Sequence, residues 1–199
     1  MTGPSTDAWD DLLDRVDAAF TAAASSEQLV DASTATIPTP VGELLLVAAG
    51  DSLVRIAFDV EDHDLVLADL APRLGARILR VEHPVLELAR TQLDSYFAGE
   101  LATFDLPLDL QLAKGPFRRH VLECLTSITA GETRTYAELA ALAGRPTAVR
   151  AAGSGCATNP IPIVVPCHRI LRSGGDLGGY LGGPSRKRWL LDHERSMVA

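Results

Sequence analysis

The segment 159–171, NPIPIVVPCHRIL, restricts the fold more than any other stretch of this 199-residue chain. Asn159-Pro160 is a turn signal. Ile161 to Val165 is apolar and β-branched, which predicts a short buried run. Pro166 has no backbone donor and a fixed φ, so neither a regular helix nor a central strand continues through it. Cys167 is therefore delivered at the end of a rigid buried segment, followed by His168 and Arg169. The thiolate is the reactive form of cysteine, and nearby basic groups favour it. Successive side chains of an extended segment point to opposite sides. His168 is thus expected to reach the thiol through a water, and Glu194, in the terminal run RKRWLLDHE, is the candidate acceptor that orients it.

The chain has three cysteines, Cys124, Cys156 and Cys167. An odd, low count argues against a disulfide framework, and with no C-x-x-C pair no metal site is expected. Cys124 sits in an apolar helical pattern and reads as a buried, reduced thiol.

Net charge is −8, but unevenly spread: residues 111–199 hold 12 Lys/Arg and 6 Asp/Glu, against 6 and 20 in residues 1–110. A locally basic half matters more for phosphate binding than the total. A hydrophobic fraction of 47% fits an ordinary globular protein. No apolar run approaches the roughly 20 residues that span a bilayer. The start MTGPSTDAWDDLLDRVD is acidic, unlike a secretory signal, so a cytoplasmic protein without membrane partners is expected.

Residues 7–23 read as an amphipathic helix, either packed on the next domain or binding a partner, and residues 24–35 as a linker. Together, residues 1–35 form the first unit. GELLLVAAG (42–50) and SLVRIAF (52–58) flank Gly50-Asp51 and predict a hairpin. Residues 84–97 predict a helix opened by Pro84 and ended near Gly99, and residues 104–110 a strand or extended connector. Residues 36–110 contain no chemical constellation and read as a small α+β scaffold.

Residues 111–199 form the third unit. Pro116 opens a helix that turns Phe117, Val121, Leu122, Leu125 and Ile128 inward and that Gly131 stops. Thr135-Tyr136-Ala137-Glu138 fits a capping box for the next helix. Thr147 is placed to cap another, TAVRAAGSGCA. The pair, joined across Gly144-Arg145-Pro146, is either a helix-turn-helix or an ordinary helical hairpin. Its second helix is thin, with Ala148, Ala151, Ala152, Gly153 and Gly155, and Arg150 is its one long cation. Such a helix suits close approach either to a nucleic-acid groove or to another helix.

NPIPIVVPCHR, with TYAELAALAGRP and AVRAAG upstream and GGYLGG, Lys187 and LLDHE downstream, resembles the O6-alkylguanine-DNA alkyltransferases, from about Phe117 to Glu194. The resemblance implies an α+β chain: a small ribonuclease-H-like N-terminal domain, then a mainly helical C-terminal domain with a helix-turn-helix. It implies single-turnover DNA repair, in which an alkyl group moves from O6-alkylguanine, or O4-alkylthymine as a second candidate, to Cys167. His168 would be the base acting through water and Glu194 its orienter. Arg150 would enter the base stack as the damaged nucleotide leaves. Tyr136 would turn the target phosphate, hydrogen-bond the flipped guanine and supply a proton. Thr147 and Ala151 would complete the DNA-contacting set. Asn159 would be a hinge, and Pro162 and Tyr180 would line the base pocket. Lys187 matches a family position, or is a solvated helix charge. The implied partner is double-stranded DNA gripped through its minor groove by a monomer that needs no cofactor. Leu122 stands where the family commonly has tryptophan, and Ala152 and Gly155 where it has valine and alanine.

Two other classes fit parts of the chain. One is a non-catalytic reader of damaged DNA or a helix-turn-helix regulator, which needs neither Cys167 nor Glu194. The other is a cysteine hydrolase with a Cys-His-Glu triad, which would turn over without DNA.

Overall fold

A computed structural model describes Arg15 and residues 30–198; the helix expected over 7–23 lies outside the described residues, Arg15 apart. The N-terminal lobe is built on a four-stranded sheet of order β3-β2-β1-β4. Its strands are β1 (Ala32–Ile37), β2 (Leu44–Ala49), β3 (Ser52–Phe58) and β4 (Ile78–Leu79). β2 pairs antiparallel with β1 and β3, and β4 joins β1 in parallel. The hairpin expected around Gly50-Asp51 is β2–β3, with Gly50 at φ 54°. β1 begins at Ala32, so the last residues of the expected linker are strand. Their small, polar side chains hide a strand whose Ala32, Ser33 and Thr34 are buried.

The continuous apolar run of β2 follows from burial on both sheet faces. Leu44, Leu46 and Ala48 join the main core, while Leu45 and Val47 pack on the other face with Leu70 and Leu112. Leu70 comes from α1 (His63–Leu74), a helix capped by Asp62, whose side chain accepts from the amides of Asp64 and Leu65. α2 (Pro84–Phe97) starts at Pro84 as expected and buries Val85, Leu86, Ala89, Leu93 and Tyr96. Residues 104–110 are an extended connector with one bridge, Leu108 to Leu53.

The C-terminal lobe holds α3 (Pro116–Leu125), β5 (Arg134–Thr135), α4 (Tyr136–Leu142), α5 (Val149–Ala157), β6 (Ile170–Leu171) and α6 (Pro184–Met197). α3 ends at Leu125, before Gly131, which instead forms a later turn at φ 80°. Val121, Leu122 and Leu125 are buried, but Cys124 lies at the edge of that face and is half-exposed, not buried. The capping box at α4 is present: the Thr135 hydroxyl accepts from the Glu138 amide at 3.2 Å, and the Thr135 amide donates to the Glu138 carboxylate at 2.6 Å. Thr147 does not cap α5. A turn donating from the Ala148 amide to the Arg145 carbonyl (2.8 Å) makes Ala148 the N-cap and leaves Thr147 exposed.

The thinness of α5 has a packing cause on one side. Ala152, Gly155 and Cys156 are buried, and a Cβ on Gly155 would stand 3.1 Å from Val121 of α3. Arg150 is on the exposed part of the helix. Both lobes share one core, running from Leu44, Phe58 and Tyr96 to Leu125, Leu139, Val165, Ile170 and Leu190. Among the described residues no helix is long and apolar enough to cross a membrane.

Candidate active site

The cysteine segment is a compact turn. The Val165 amide donates to the Ile161 carbonyl (2.9 Å), and the Cys167 amide to the Val165 carbonyl (2.8 Å). Ile163 sits within it at φ 75°. A β-branched residue is strained there, by about 1–3 kcal/mol, and complete burial of the side chain helps to hold it. The N-terminal lobe clamps the start of the turn: the Ile56 amide (2.8 Å) and the Arg55 guanidinium (3.2 Å) both donate to the Pro160 carbonyl. Past Pro166 the chain makes a 3-10 turn, Cys167–Arg169, with all three residues buried.

Asn159 lies beneath the thiol. Its Nδ2 donates to Cys167 Sγ at 3.2 Å and to the Val165 carbonyl at 2.7 Å. Burial pushes the Cys167 thiol up to about 11, against the Asn159 bond and the positive charge of Lys187. Cys167 therefore rests as a thiol at neutral pH and would need a base to become a thiolate.

His168 has no hydrogen bond to Cys167 among the described residues. Its Nε2 lies 2.8 Å from Glu194 Oε1, and its Nδ1 is buried without a hydrogen-bond partner there. Glu194, fully buried on α6, also accepts from Arg169 Nη2 (2.7 Å) and Nε (2.9 Å), from the Tyr96 hydroxyl (2.9 Å) and from the Gly131 amide (3.3 Å). Burial alone would raise its carboxyl. The bonds from His168 and Arg169, and the guanidinium charge of Arg169, outweigh burial and hold it well below the ordinary carboxylate range. An ionised carboxylate only accepts, so His168 Nε2 carries the proton and Nδ1 keeps its lone pair. Burial also holds His168 below the ordinary histidine range, against the pull of Glu194. The result is a neutral imidazole with one fixed tautomer and an open basic nitrogen.

Lys187 is fully buried, which excludes a solvated helix charge. Its Nζ donates to the carbonyls of Ile170 (2.5 Å) and Leu177, tying α6 to the strand and glycine-rich loop after the cysteine turn. That loop carries Tyr180, whose ring stands edge-on to Phe58 (5.6 Å) and His168 (6.3 Å) and whose hydroxyl is buried without a partner among the described residues. Pro162 is buried in the turn. Tyr136, at the first position of α4, is half-buried; burial raises its phenol, with Cys156 and Cys167 close enough to add to the rise. A Cβ built on Gly178 would lie 3.3 Å from the Tyr136 hydroxyl and 3.6 Å from Arg172, so phenol and guanidinium share one side of the loop.

The structure thus brings together Cys167, Asn159, His168, Glu194, Lys187 and Tyr180, with Tyr136 at their edge. Arg150, Ala151 and Thr147 stand apart, on or before the first turn of α5. Arg150 and Thr147 are exposed, and Arg150 has no hydrogen bond or ion pair among the described residues. Two members of the site were not read from the sequence. Arg169 stands inside the motif, and a cation within a buried run needs a carboxylate partner, so a signal existed. Tyr96 gave none, being one apolar position on a distant helix. Among the described residues no group of histidine, cysteine and acidic side chains could hold a metal ion.

Known proteins match both lobes. Residues 33–110 match the family model "6-O-methylguanine DNA methyltransferase, ribonuclease-like domain", and residues 116–196 match "6-O-methylguanine DNA methyltransferase, DNA binding domain". The methylated-DNA–protein-cysteine methyltransferase of Mycobacterium tuberculosis is 40% identical over 161 residues, covering 81% of this chain and 91% of that protein. The constitutive enzyme of that name from Bacillus subtilis is 40% identical over 165 residues, covering 80% and 93%. The crystal structure of the M. tuberculosis O6-methylguanine methyltransferase superposes with a TM-score of 0.72 at 36% identity, over 84% of this chain and 95% of that one. A second M. tuberculosis structure, in complex with DNA, gives 0.69 at 37% identity, over 83% and 94%. Matched in both lobes, and by relatives along nearly their whole length, the chain belongs to the 6-O-methylguanine DNA methyltransferase family.

Proposed function

We propose that this protein repairs DNA by moving an alkyl group from the O6 atom of guanine onto Cys167, once per molecule. The observation that carries the reading is the pairing of a buried, protonated thiol with a neutral His168 whose Nε2 is fixed by Glu194 and whose Nδ1 is unpartnered. A water bridging Nδ1 and the sulfur would pass the thiol proton to His168. The Cys167 sulfur attacks the alkyl carbon, a C–S bond forms, and the carbon–O6 bond breaks. The leaving guanine takes a proton from Tyr136, whose raised phenol stays protonated at neutral pH; the thiol proton returns through His168 to restore it. The thioether has no leaving group, so no second cycle follows.

A base inside a duplex cannot reach a buried sulfur, so the nucleotide must flip out. Arg150 is free to fill the gap it leaves. α4 and α5 would act as a helix-turn-helix in the minor groove, with Thr147, Ala151 and Tyr136 near the backbone and Tyr180 and Pro162 against the flipped base. Asn159 would serve as hinge and thiolate donor. Residues 111–199 would be the DNA-binding and alkyl-acceptor unit and residues 32–110 the scaffold, working as a monomer in the cytoplasm. Incubation with an O6-methylguanine oligonucleotide, followed by peptide mass spectrometry, tests the reading: the peptide containing Cys167 gains one methyl group. An unmodified Cys167 beside repaired DNA would refute it.

A further inference from the structure

One residue of the N-terminal lobe touches the relay directly. Tyr96 lies in the last turn of α2, fully buried. Its hydroxyl donates to Glu194 Oε1 at 2.9 Å, the oxygen that faces His168 Nε2 at 2.8 Å. Its carbonyl accepts from His193 Nε2 at 2.7 Å, so one residue binds two consecutive side chains of α6. Its ring is held by Phe97 and Phe104 at 5.3 and 5.2 Å between centroids. A purely apolar contact between lobes would place phenylalanine here. Burying a hydroxyl costs free energy unless it is bonded, and this one donates to the relay carboxylate.

We propose that Tyr96 is a positioning residue for alkyl transfer: its phenol fixes the Glu194 carboxylate in the orientation that keeps His168 a base, so the N-terminal lobe sets the reactivity of Cys167. This rests on Cys167 being the alkyl acceptor. With Tyr96, Oε1 has donors from three side chains, Tyr96, His168 and Arg169, and little freedom to rotate. Without the phenol, the carboxylate is less compensated and holds a charged His168 more firmly. The other titratable groups facing the pair are Arg169 and Cys167 in the 3-10 turn, Lys187 on α6 and Tyr180 on the loop. None of these changes in the variants below.

The test is single-turnover transfer to full-length protein at saturating protein, from pH 5 to 9. Tyr96→Phe keeps the ring and loses only the hydroxyl. Its rate at pH 7 is expected to fall about tenfold, the worth of one hydrogen bond to a charged group. Because neutral His168 is the base, the acid limb should move to higher pH, by about half a unit to one unit. 3-Fluorotyrosine at position 96, a stronger donor, should move the limb the other way. His193→Leu loosens the same contact between α2 and α6 without touching the carboxylate; it should lower Tm and leave the limb in place. A folded Tyr96→Phe with wild-type rate and limb overturns the proposal. So does an equal rate loss in Tyr96→Phe and His193→Leu with no movement of the limb, since Tyr96 would then only dock the lobes. Wild-type protein that leaves the lesion methylated refutes the function instead. The limb can then still be read from iodoacetamide labelling of Cys167, so the two failures are distinct.

Discussion

Asn159 and Cys167 are joined directly, by a 3.2 Å hydrogen bond from the carboxamide nitrogen to the sulfur. The same side chain shapes the turn, accepting from the Ile161 amide at 3.0 Å and donating to the Val165 carbonyl at 2.7 Å. A donor aimed at sulfur favours the thiolate, opposing the burial that holds the thiol at about 11. Asn159→Ala should raise that value further. Labelling of Cys167 by iodoacetamide should then need higher pH, and alkyl transfer at pH 7 should slow about tenfold. Asn159→Asp places an anion beside the sulfur and should be slower still. Wild-type rates in Asn159→Asp would remove Asn159 from the chemistry and leave it a turn residue.

The site was legible where it depends on neighbours in the chain. Pro166 before Cys167, the Thr135–Glu138 capping box and the Gly50-Asp51 hairpin are local devices, and each reads from a few residues. Thr147 is a good cap residue taken alone, but Ala148 is the N-cap. The Arg145–Ala148 turn closes one residue later and decides the helix start. α1 carries little helical signal, because Asp64, Asp69 and Arg73 interrupt its apolar spacing and Pro72 sits inside it. The bond from Tyr96 to Glu194 spans 98 residues and exists only once two helices have packed, so no local pattern announces it.

Stoichiometry follows from the thioether. Repaired guanine should plateau at no more than one per protein molecule in excess substrate, with the mass on the Cys167 peptide. Cys156 is buried nearby and burial raises its thiol, while Cys124 is half-exposed and likewise raised. Cys124 Sγ lies 3.8 Å from Nε2 of His120, but that imidazole is exposed on α3 and stands outside the cluster of Cys167, His168 and Glu194. Label on either one would move the active site, and sustained turnover would favour a hydrolase.

Glu194 links the relay to stability. Arg169 and Glu194 are both buried, and removing one charge strands the other, at about 3–5 kcal/mol. Glu194→Gln should therefore lower Tm at pH 7 as well as slow transfer. Its folded value lies below the ordinary 4.5, so its stabilisation is complete above pH 4.5 and is lost as pH falls from there towards the folded value. Tm of wild type and Glu194→Gln, followed from pH 7 to pH 3, should converge. A constant gap would show that the carboxylate is not the charged partner. His168→Ala leaves Arg169 paired, so it separates the effects: transfer should collapse while Tm and DNA affinity change much less.

Arg150 separates flipping from chemistry. It is exposed on the first turn of α5, without a hydrogen bond or ion pair among the described residues, and apart from the relay. Its loss should leave the nucleophile intact. Flipping a paired nucleotide costs a few kcal/mol and costs nothing for a free base. Arg150→Ala should therefore slow repair of O6-methylguanine in duplex DNA strongly, about a hundredfold if the plug supplies most of that energy. Reaction with free O6-benzylguanine should change by less than about twofold, since no base is flipped. Losing a cation near phosphates also weakens binding uniformly and reduces its salt dependence. The duplex comparison must then be made at saturating protein, where affinity no longer limits the rate. Cys167→Ser should abolish both reactions and keep DNA binding, fixing the zero of each assay. If Arg150→Ala repairs duplex at the wild-type rate, the arginine does not fill the stack. If it loses free-base reaction equally, Arg150 supports the pocket, and the outward face of α5 has some task other than opening the duplex.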